Sequence, residues 1–357
     1  VGRDAAATFV GTDRVLVLVA CATLAAIVAP MLLDAVELDE RDREIVYRDQ
    51  LRYTYPTLIE RVARLANALT AAGVKAGDTV GVMDGDSHRY VECMFAIPML
   101  GAVLQTINVR LSPEQITYTM NHAEAKFVLC NSEFVPVFNS ISSYLHSVQK
   151  TILLTDGEEK TADLFNLVGE YEQLLAAAGT RYDFEDFDEN SVATTFYTSG
   201  TTGNPKGVYF THRQLVLHTF AVVTSLGALD GNRIMGNGDV YMPITPMFHV
   251  HAWGMPFAAT LLGLKQVYPG RYDPELLVDL WQKEKVTFSH CVPTILQMVL
   301  NAKAAQGVDF NGWKLIIGGS ALNRSLFLNA KERGMHLSTA YGMSETGPII
   351  SGAYLND

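Results

Sequence analysis

Between Asp42 and Asp357 the apolar positions fall into two alternating patterns. Short continuous runs at Thr79–Met83, Lys126–Cys130, Thr151–Thr155, Val192–Tyr197, Asp239–Pro243, Val286–Ser289 and Lys314–Ile317 have the length and β-branched content of buried strands. Stretches of helical period stand between them. Ile59, Val62, Ala63, Ala66 and Leu69 share one face, and Gly73 is placed to end that helix. Val91–Val103 reads as a buried helix. Thr211 and Gln214 form a capping-box pair ahead of the apolar run Leu215–Leu226. Asp273 and Pro274 give an N-cap followed by proline at the first helical position, and Leu322–Glu332 is a further helix. This alternation predicts an α/β fold of stacked, mostly parallel sheets flanked by helices. In such folds ligands gather at the carboxyl ends of the strands. Residues 156–190 are acidic and weakly patterned, and they separate approximate subdomains 41–190 and 191–357.

Residues 1–40 lie outside this rhythm. The stretch Val15–Leu33 carries no charge, and as a helix it would span roughly 28 Å, close to the ~30 Å hydrocarbon core of a bilayer. Its alanines and Pro30 make insertion borderline. A membrane anchor, a buried helix and a segment foreign to the domain all stay open.

The chain has 357 residues, 48% of them apolar and 18% charged, which is a folded composition with room for a large core. Its net charge of −11 argues against non-specific nucleic-acid binding, so a polyanion would have to be held locally by a loop, a lysine and a metal ion. The four cysteines, Cys21, Cys93, Cys130 and Cys291, form no Cys-x-x-Cys pair and read as free thiols in a reducing cytosol.

Four segments carry the candidate chemistry. Tyr197–Val208 follows a strand and leads toward the helix start at Thr211. It combines Gly200, Gly203 and Gly207 with Thr198, Ser199, Thr201, Thr202 and Lys206. Glycine permits close approach of the backbone, the amides and hydroxyls donate to phosphate oxygens, and the lysine adds charge. It is not the common P-loop, because Lys206 is followed by Gly207 rather than Ser or Thr. Thr245–Gly254 holds His249, Val250, His251, Trp253 and Gly254. No third ligand stands nearby for a metal, which leaves core histidines beside a packed Trp253, or the wall of a ligand pocket. Ile316–Ala321 ends a strand in two glycines, and Tyr341–Pro348 offers an aromatic face for a base and the Glu345 carboxylate for a hard cation such as Mg²⁺.

In this order the four segments resemble the adenylate-forming acyl-CoA synthetase family. The loop is similar to that family's phosphate loop, Gly318–Ala321 to its Gly-Gly-Ala/Ser turn, and Tyr341–Glu345 to its Tyr-Gly-x-Thr-Glu motif. Tyr53–Tyr55, Gly73–Asp78, Phe95–Val103 and Asn108–Pro113 agree as well, so the resemblance runs from about Asp42 to the last residue. The wording around Met247–Gly254 most resembles the medium- and long-chain fatty-acid branch, where the tryptophan looks like a gate to the acyl tunnel.

The resemblance implies a two-step reaction. A carboxylate attacks the α-phosphate of ATP to give acyl-adenylate and pyrophosphate, and the thiol of coenzyme A then displaces AMP. It implies that Thr198 and Glu345 contact Mg²⁺, and that Ser199, Gly200, Thr201, Thr202, Gly203 and Lys206 hold the β- and γ-phosphates. Gly319, Thr339, Ala340, Tyr341 and Gly342 would surround the adenine, Ser344 would reach the α-phosphate, and His249, Val250, Trp253 and Gly254 would border the acyl group. Thr339 stands where the family often has an amide, Ser344 where it has Thr, and Asn323 where it has Pro. The family continues past this point with a ribose-binding Asp, a hinge and a small domain carrying a second lysine. The expectation is therefore the large N-terminal domain of a longer enzyme, with little activity on its own. A cytoplasmic setting, a homodimer and membrane association through residues 15–33 are compatible with it. The alternatives are an aryl or short-chain acid ligase, a membrane-anchored fatty-acid uptake protein, and a nucleotide-binding module without catalysis.

Overall fold

The computed structural model describes residues 43–157, 162–198, 203–227 and 234–355. Fifteen strands run in chain order among them. They are β1 Glu44–Tyr47, β2 Leu51–Thr54, β3 Thr79–Met83, β4 Val103–Thr106, β5 Ala125–Asn131, β6 Lys150–Leu154, β7 Leu167–Glu170 and β8 Val192–Thr198. There follow β9 Lys206–Thr211, β10 Val240–Tyr241, β11 Lys265–Tyr268, β12 Phe288–Cys291, β13 Lys314–Ile317, β14 His336–Tyr341 and β15 Ser351–Tyr354.

They form two sheets. One has the order β15-β14-β13-β12-β10-β11-β1-β2 and the other β7-β6-β5-β3-β4-β8-β9. Pairing is parallel except at β1/β2, β14/β15 and β8/β9. The central strands are buried on both faces, as their continuous apolar runs require: Val80, Val82, Val128, Leu129, Ile152 and Leu153 are all at most 2% exposed. Sheet membership crosses residue 190 in both directions, since β1 and β2 join the first sheet while β8 and β9 join the second.

Local signals set the helices. Helix Tyr55–Ala72 buries Leu58, Val62, Leu65, Ala66 and Leu69 on one face. It ends at Gly73, whose φ of 104° lets Val74 N–H reach back to the Leu69 carbonyl at 3.0 Å. Ahead of helix His212–Gly227, Thr211 N–H donates to Gln214 Oε1 at 2.9 Å and Gln214 N–H to Thr211 Oγ1 at 3.2 Å, closing the capping box. The apolar stretch 91–103, by contrast, splits. A helix occupies His88–Met99, and Gly101 at φ 70° turns the chain into β4. A continuous apolar run does not mark that boundary, because helix and strand are equally buried there.

Cys93, Cys130 and Cys291 are free and buried, and burial pushes the Cys291 thiol up to about 12. No helix among the described residues is long and apolar enough to cross a membrane, and Val15–Leu33 lies outside them.

Buried histidines give the fold a pH signature. Burial lowers His212 and His218 to about 4 and His251 and His290 to about 3, from an ordinary value near 6.5. The unfolded chain binds those protons first, so this stability is complete above pH ~6.5 and drains away as pH falls toward 3. Asp86, raised to about 7 by burial, acts with the opposite sign between pH ~4 and 7, but it is one group against four. Calorimetry should show the melting temperature falling steeply below pH ~6.5, and a flat profile down to pH ~4.5 would contradict this account.

Candidate active site

In the first sheet the strand order reverses at β10, which has β11 on one side and β12 on the other. A crevice opens outside the carboxyl ends at such a point. Thr245–Gly254 follows β10, Gly318 and Gly319 follow β13, and Tyr341 ends β14, so three of the four segments converge there.

The fourth segment comes from the second sheet. β8 ends at Thr198, and the chain returns antiparallel as β9 rather than leading directly into a helix. Thr198 faces Lys206 across this hairpin, and Tyr197 faces Gly207. Thr198 Oγ1 donates to the Lys206 carbonyl at 3.5 Å, and Gly203 takes φ 92° near the turn. Ser199, Gly200, Thr201 and Thr202 lie outside the described residues. β9 packs against the short turn Ser344–Thr346, which brings the strand of Lys206 to the turn of Glu345. Both residues are exposed, and neither has an ion-pair partner among the described residues.

The segments Thr245–Gly254, Gly318–Gly319 and Tyr341–Pro348 enclose a cavity of 200 Å³, lined among others by His249, Trp253, Gly319, Tyr341, Gly342 and Ser344. Glycine is needed here for space. A Cβ on Gly318 would come 2.9 Å from the Trp253 ring and 3.1 Å from the Ala340 carbonyl oxygen. A Cβ on Gly342 would come 1.2 Å from the Pro348 carbonyl oxygen. The Tyr341–Pro348 segment doubles back tightly, held by Ile350 N–H donating to the Tyr341 carbonyl at 2.9 Å. Tyr341 is 65% exposed, an aromatic face left open beside the cavity.

Trp253 owes its position to unusual backbone. Val250, His251, Ala252 and Trp253 all have φ between 48° and 59°, and Gly254 follows at 70°. This is a turn of left-handed helix, costing roughly 1–2 kcal/mol for each residue other than glycine. Burial holds it in place, since Val250, His251, Ala252 and Trp253 are at most 5% exposed. His251 is also tied to Thr194 Oγ1 at 2.5 Å, and the Phe248 carbonyl accepts from Thr106 Oγ1 at 2.9 Å. The two histidines therefore divide the two readings of this segment. His251 belongs to the core, whereas His249 is exposed to solvent and lines the cavity, with its pKa lowered by partial desolvation and by Arg110.

A second cavity of 240 Å³ adjoins the first, and Ala340 and Ile349 line both. Its wall is mainly apolar and comes from helix His212–Gly227 and from β13, β14 and β15. Trp253 lines the first cavity and packs in one apolar cluster with Val222 and Ile316 of the second, which puts the indole at the seam. His218 lines the second cavity as well. A Cβ on Gly254 would come 2.5 Å from its ring and one on Gly347 would come 3.0 Å away. The His218 Nε2 is buried without a partner among the described residues.

The expected residues thus separate. His249, Trp253, Gly319, Ala340, Tyr341, Gly342 and Ser344 line the first cavity. Thr339 lines the second cavity, away from the first. Val250 packs in the core with Phe196 and Phe210, and Gly254 supports the His218 ring. Sequence reasoning missed His218, Val222, Leu226 and Ile234, which line the second cavity. Only the place of His218, Val222 and Leu226 on the helix His212–Gly227 marks them, and Ile234 lies beyond that helix with no such signal.

A model of the family described as AMP-binding enzyme matches residues 33–357. The chain belongs to the AMP-binding enzyme family. This agrees with the resemblance to adenylate-forming acyl-CoA synthetases that the motifs carry. The chain is 39% identical over 301 residues to a long-chain-fatty-acid–CoA ligase of Thermus thermophilus, covering 84% of this chain and 53% of that protein. It is 35% identical to a medium-chain-fatty-acid–CoA ligase of Ectopseudomonas oleovorans, covering 81% and 53%. It is also 35% identical to a 3-methylmercaptopropionyl-CoA ligase of Ruegeria pomeroyi, covering 82% and 54%. The chain spans about half the length of the curated relatives it matches. Among solved structures, the anthranilate CoA ligase AuaEII in complex with anthranoyl-AMP superposes with a TM-score of 0.80 at 22% identity, covering 91% of this chain and 62% of that one. The N-terminal domain of FACL13 from Mycobacterium tuberculosis superposes with a TM-score of 0.77 at 23% identity, covering 90% and 76%. The expected α/β architecture of the large N-terminal domain is the observed one.

Proposed function

We propose that this chain carries the ATP and acyl sites of an enzyme that activates a fatty acid, first to its adenylate and then to its coenzyme A thioester. One observation carries the reading: a glycine-walled cavity lined by His249, Trp253 and Tyr341 shares Ala340 and Ile349 with a mainly apolar cavity, and the strand that begins at Lys206 packs against the turn that holds Glu345. A nucleotide and an apolar acid bound in these spaces would meet at the indole.

The chemistry suits the residues. A carboxylate is already ionised near pH 7, so its attack on the α-phosphate needs no general base. It needs in-line placement and stabilisation of the charge that builds on the departing pyrophosphate. Lys206 supplies a cation at the end of the β8–β9 hairpin. Ser199, Gly200, Thr201, Thr202 and Gly203 would add amides and hydroxyls around the same phosphates. Gly319, Ala340, Tyr341 and Gly342 would frame the adenine, and Ser344 would reach the α-phosphate. His249 lines the cavity wall and would face the reacting carboxylate.

The donor set also fits Mg²⁺. The ion favours one or two carboxylates together with substrate phosphates and waters, so the single carboxylate of Glu345 with the Thr198 hydroxyl suffices. Bound there, Mg²⁺ would neutralise charge on the phosphates. Among the described residues no cluster of three His, Cys, Asp or Glu exists for a protein-only metal cage. The second lysine, the ribose contacts and the coenzyme A contacts would come from the remaining half that the relatives possess, so thioester formation is assigned to the full-length polypeptide.

The test is carboxylate-dependent exchange of labelled pyrophosphate into ATP by the full-length protein. Exchange that requires both Mg²⁺ and a fatty acid is the expected result. Magnesium-dependent ATP binding with no exchange for any acid would reduce the protein to a nucleotide-binding module.

A further inference from the structure

We propose that Asp86 is a positioning residue for the site: it grips the backbone of the segment that carries His249 and Trp253, and so fixes that wall relative to the hairpin of Lys206. The proposal rests on the ligase reading and deepens it. Asp86 lies just beyond β3 in the second sheet and is 3% exposed. Its Oδ1 accepts from the Met247 N–H at 2.8 Å, and Met247 is fully buried. Its Oδ2 accepts from the Tyr272 hydroxyl, and its backbone pairs with that of Gly270. Met247 and Tyr272 both belong to loops that leave strands of the first sheet. A carboxylate is an acceptor at both oxygens, so one buried side chain satisfies two donors there.

Two neighbouring strands add ties. β3, β4 and β8 lie side by side in the second sheet. Thr106, at the end of β4, donates to the Phe248 carbonyl at 2.9 Å, and Thr194 of β8 meets His251 Nε2 at 2.5 Å. The three side chains hold Met247, Phe248 and His251 in turn, and β8 also ends at Thr198, opposite Lys206. One sheet therefore sets both halves of the proposed site. The grip matters because residues 250–253 stand in unfavourable left-handed backbone and would relax if released. Without its acceptor the buried Met247 amide would turn toward water, and the fraction of molecules with Trp253 in place would fall. The grip does not depend on charge. Burial raises Asp86 to about 7, against the lowering effect of Arg110. The neutral acid still accepts from Met247 with its carbonyl oxygen and donates to the Tyr272 oxygen, and asparagine has that same pattern.

The experiment measures acid-dependent pyrophosphate release by the full-length enzyme at saturating octanoate or palmitate, whichever is turned over faster, with AMP-PNP titration and the melting temperature alongside. Asp86→Ala should lower kcat about tenfold, which is about 1.4 kcal/mol of barrier, while AMP-PNP affinity stays within about twofold of wild type. Asp86→Asn should keep at least about a third of the wild-type kcat, since it preserves both hydrogen bonds. In a Trp253→Ala background, where the indole is already gone, Asp86→Ala should cost less than about threefold more. Should Asp86→Ala fail to fold, Thr106→Val removes the adjacent tie and should lower kcat about threefold. A folded Asp86→Ala enzyme with kcat within threefold of wild type overturns the inference. So do an Asn variant as slow as the Ala one, an equal loss of AMP-PNP affinity, and an undiminished loss in the Trp253→Ala background. Where Asp86→Ala does not fold, unchanged kcat in Thr106→Val overturns it. Those outcomes leave the ligase reading standing. Absence of pyrophosphate release by the wild-type enzyme with every acid overturns both.

Discussion

Replacing Lys206 with alanine should lower kcat/KM for carboxylate-dependent pyrophosphate release by about 10²- to 10³-fold in the full-length enzyme, the usual loss when one preorganised charge-stabilising contact is removed. The effect should fall mainly on kcat. Charge on the pyrophosphate grows in the transition state, and a contact that strengthens there accelerates the chemistry more than it tightens binding. Folding should hardly change, because Lys206 is exposed and makes no ion pair among the described residues. Arginine at this position should restore only part of the activity, since its planar fork does not reproduce a compact ammonium group. Turnover within twofold of wild type in Lys206→Ala would remove Lys206 from the mechanism.

The second large effect is expected from Gly342→Ala, the smallest possible change to a side chain. The added carbon would sit 1.2 Å from the Pro348 carbonyl oxygen, far inside any tolerable contact. The clash is with backbone, so rotating a side chain cannot relieve it. The Tyr341–Pro348 segment must open, and with it would go the placement of Tyr341, Ser344 and Glu345. Nucleotide affinity should drop at least tenfold, read by calorimetric titration of the non-hydrolysable ATP analogue AMP-PNP. The melting temperature should shift by only a few degrees, because Tyr341, Met343 and Glu345 are exposed and the turn contributes little core. Wild-type affinity for the analogue in this variant would mean that the segment does not frame the nucleotide.

The site was unevenly legible in the residue order. The loop was readable because a simple turn does not need its hydroxyls and lysine together, whereas Gly318 and Gly342 stood out only through the family resemblance, and the structure adds the physical cause there, where neighbouring atoms leave no room for a methyl group. Lys206 and Glu345 were readable as charges in otherwise uncharged loops. That their two segments meet was not, since it depends on β9 packing against the turn Ser344–Thr346. The hairpin β8–β9 was missed because its residues stand before a strong helix start, and local signals favoured running the loop straight into it. The left-handed turn at Val250–Gly254 was out of reach of any propensity. Only tertiary burial offsets a backbone so unfavourable for four residues that carry side chains.

Local patterns along the chain were enough for the α/β class, the helix caps at Gly73 and Thr211, and the kinds of group that would face a nucleotide. Periodicity, capping and charge act over a few residues, and a linear order records them directly. The division of labour between His249 and His251, the seam at Trp253 and the volume of the apolar cavity were settled by packing alone. Each depends on strands and helices far apart in sequence meeting in space. The distances among them arise from how two sheets and one helix fit together, which the order of residues does not spell out position by position.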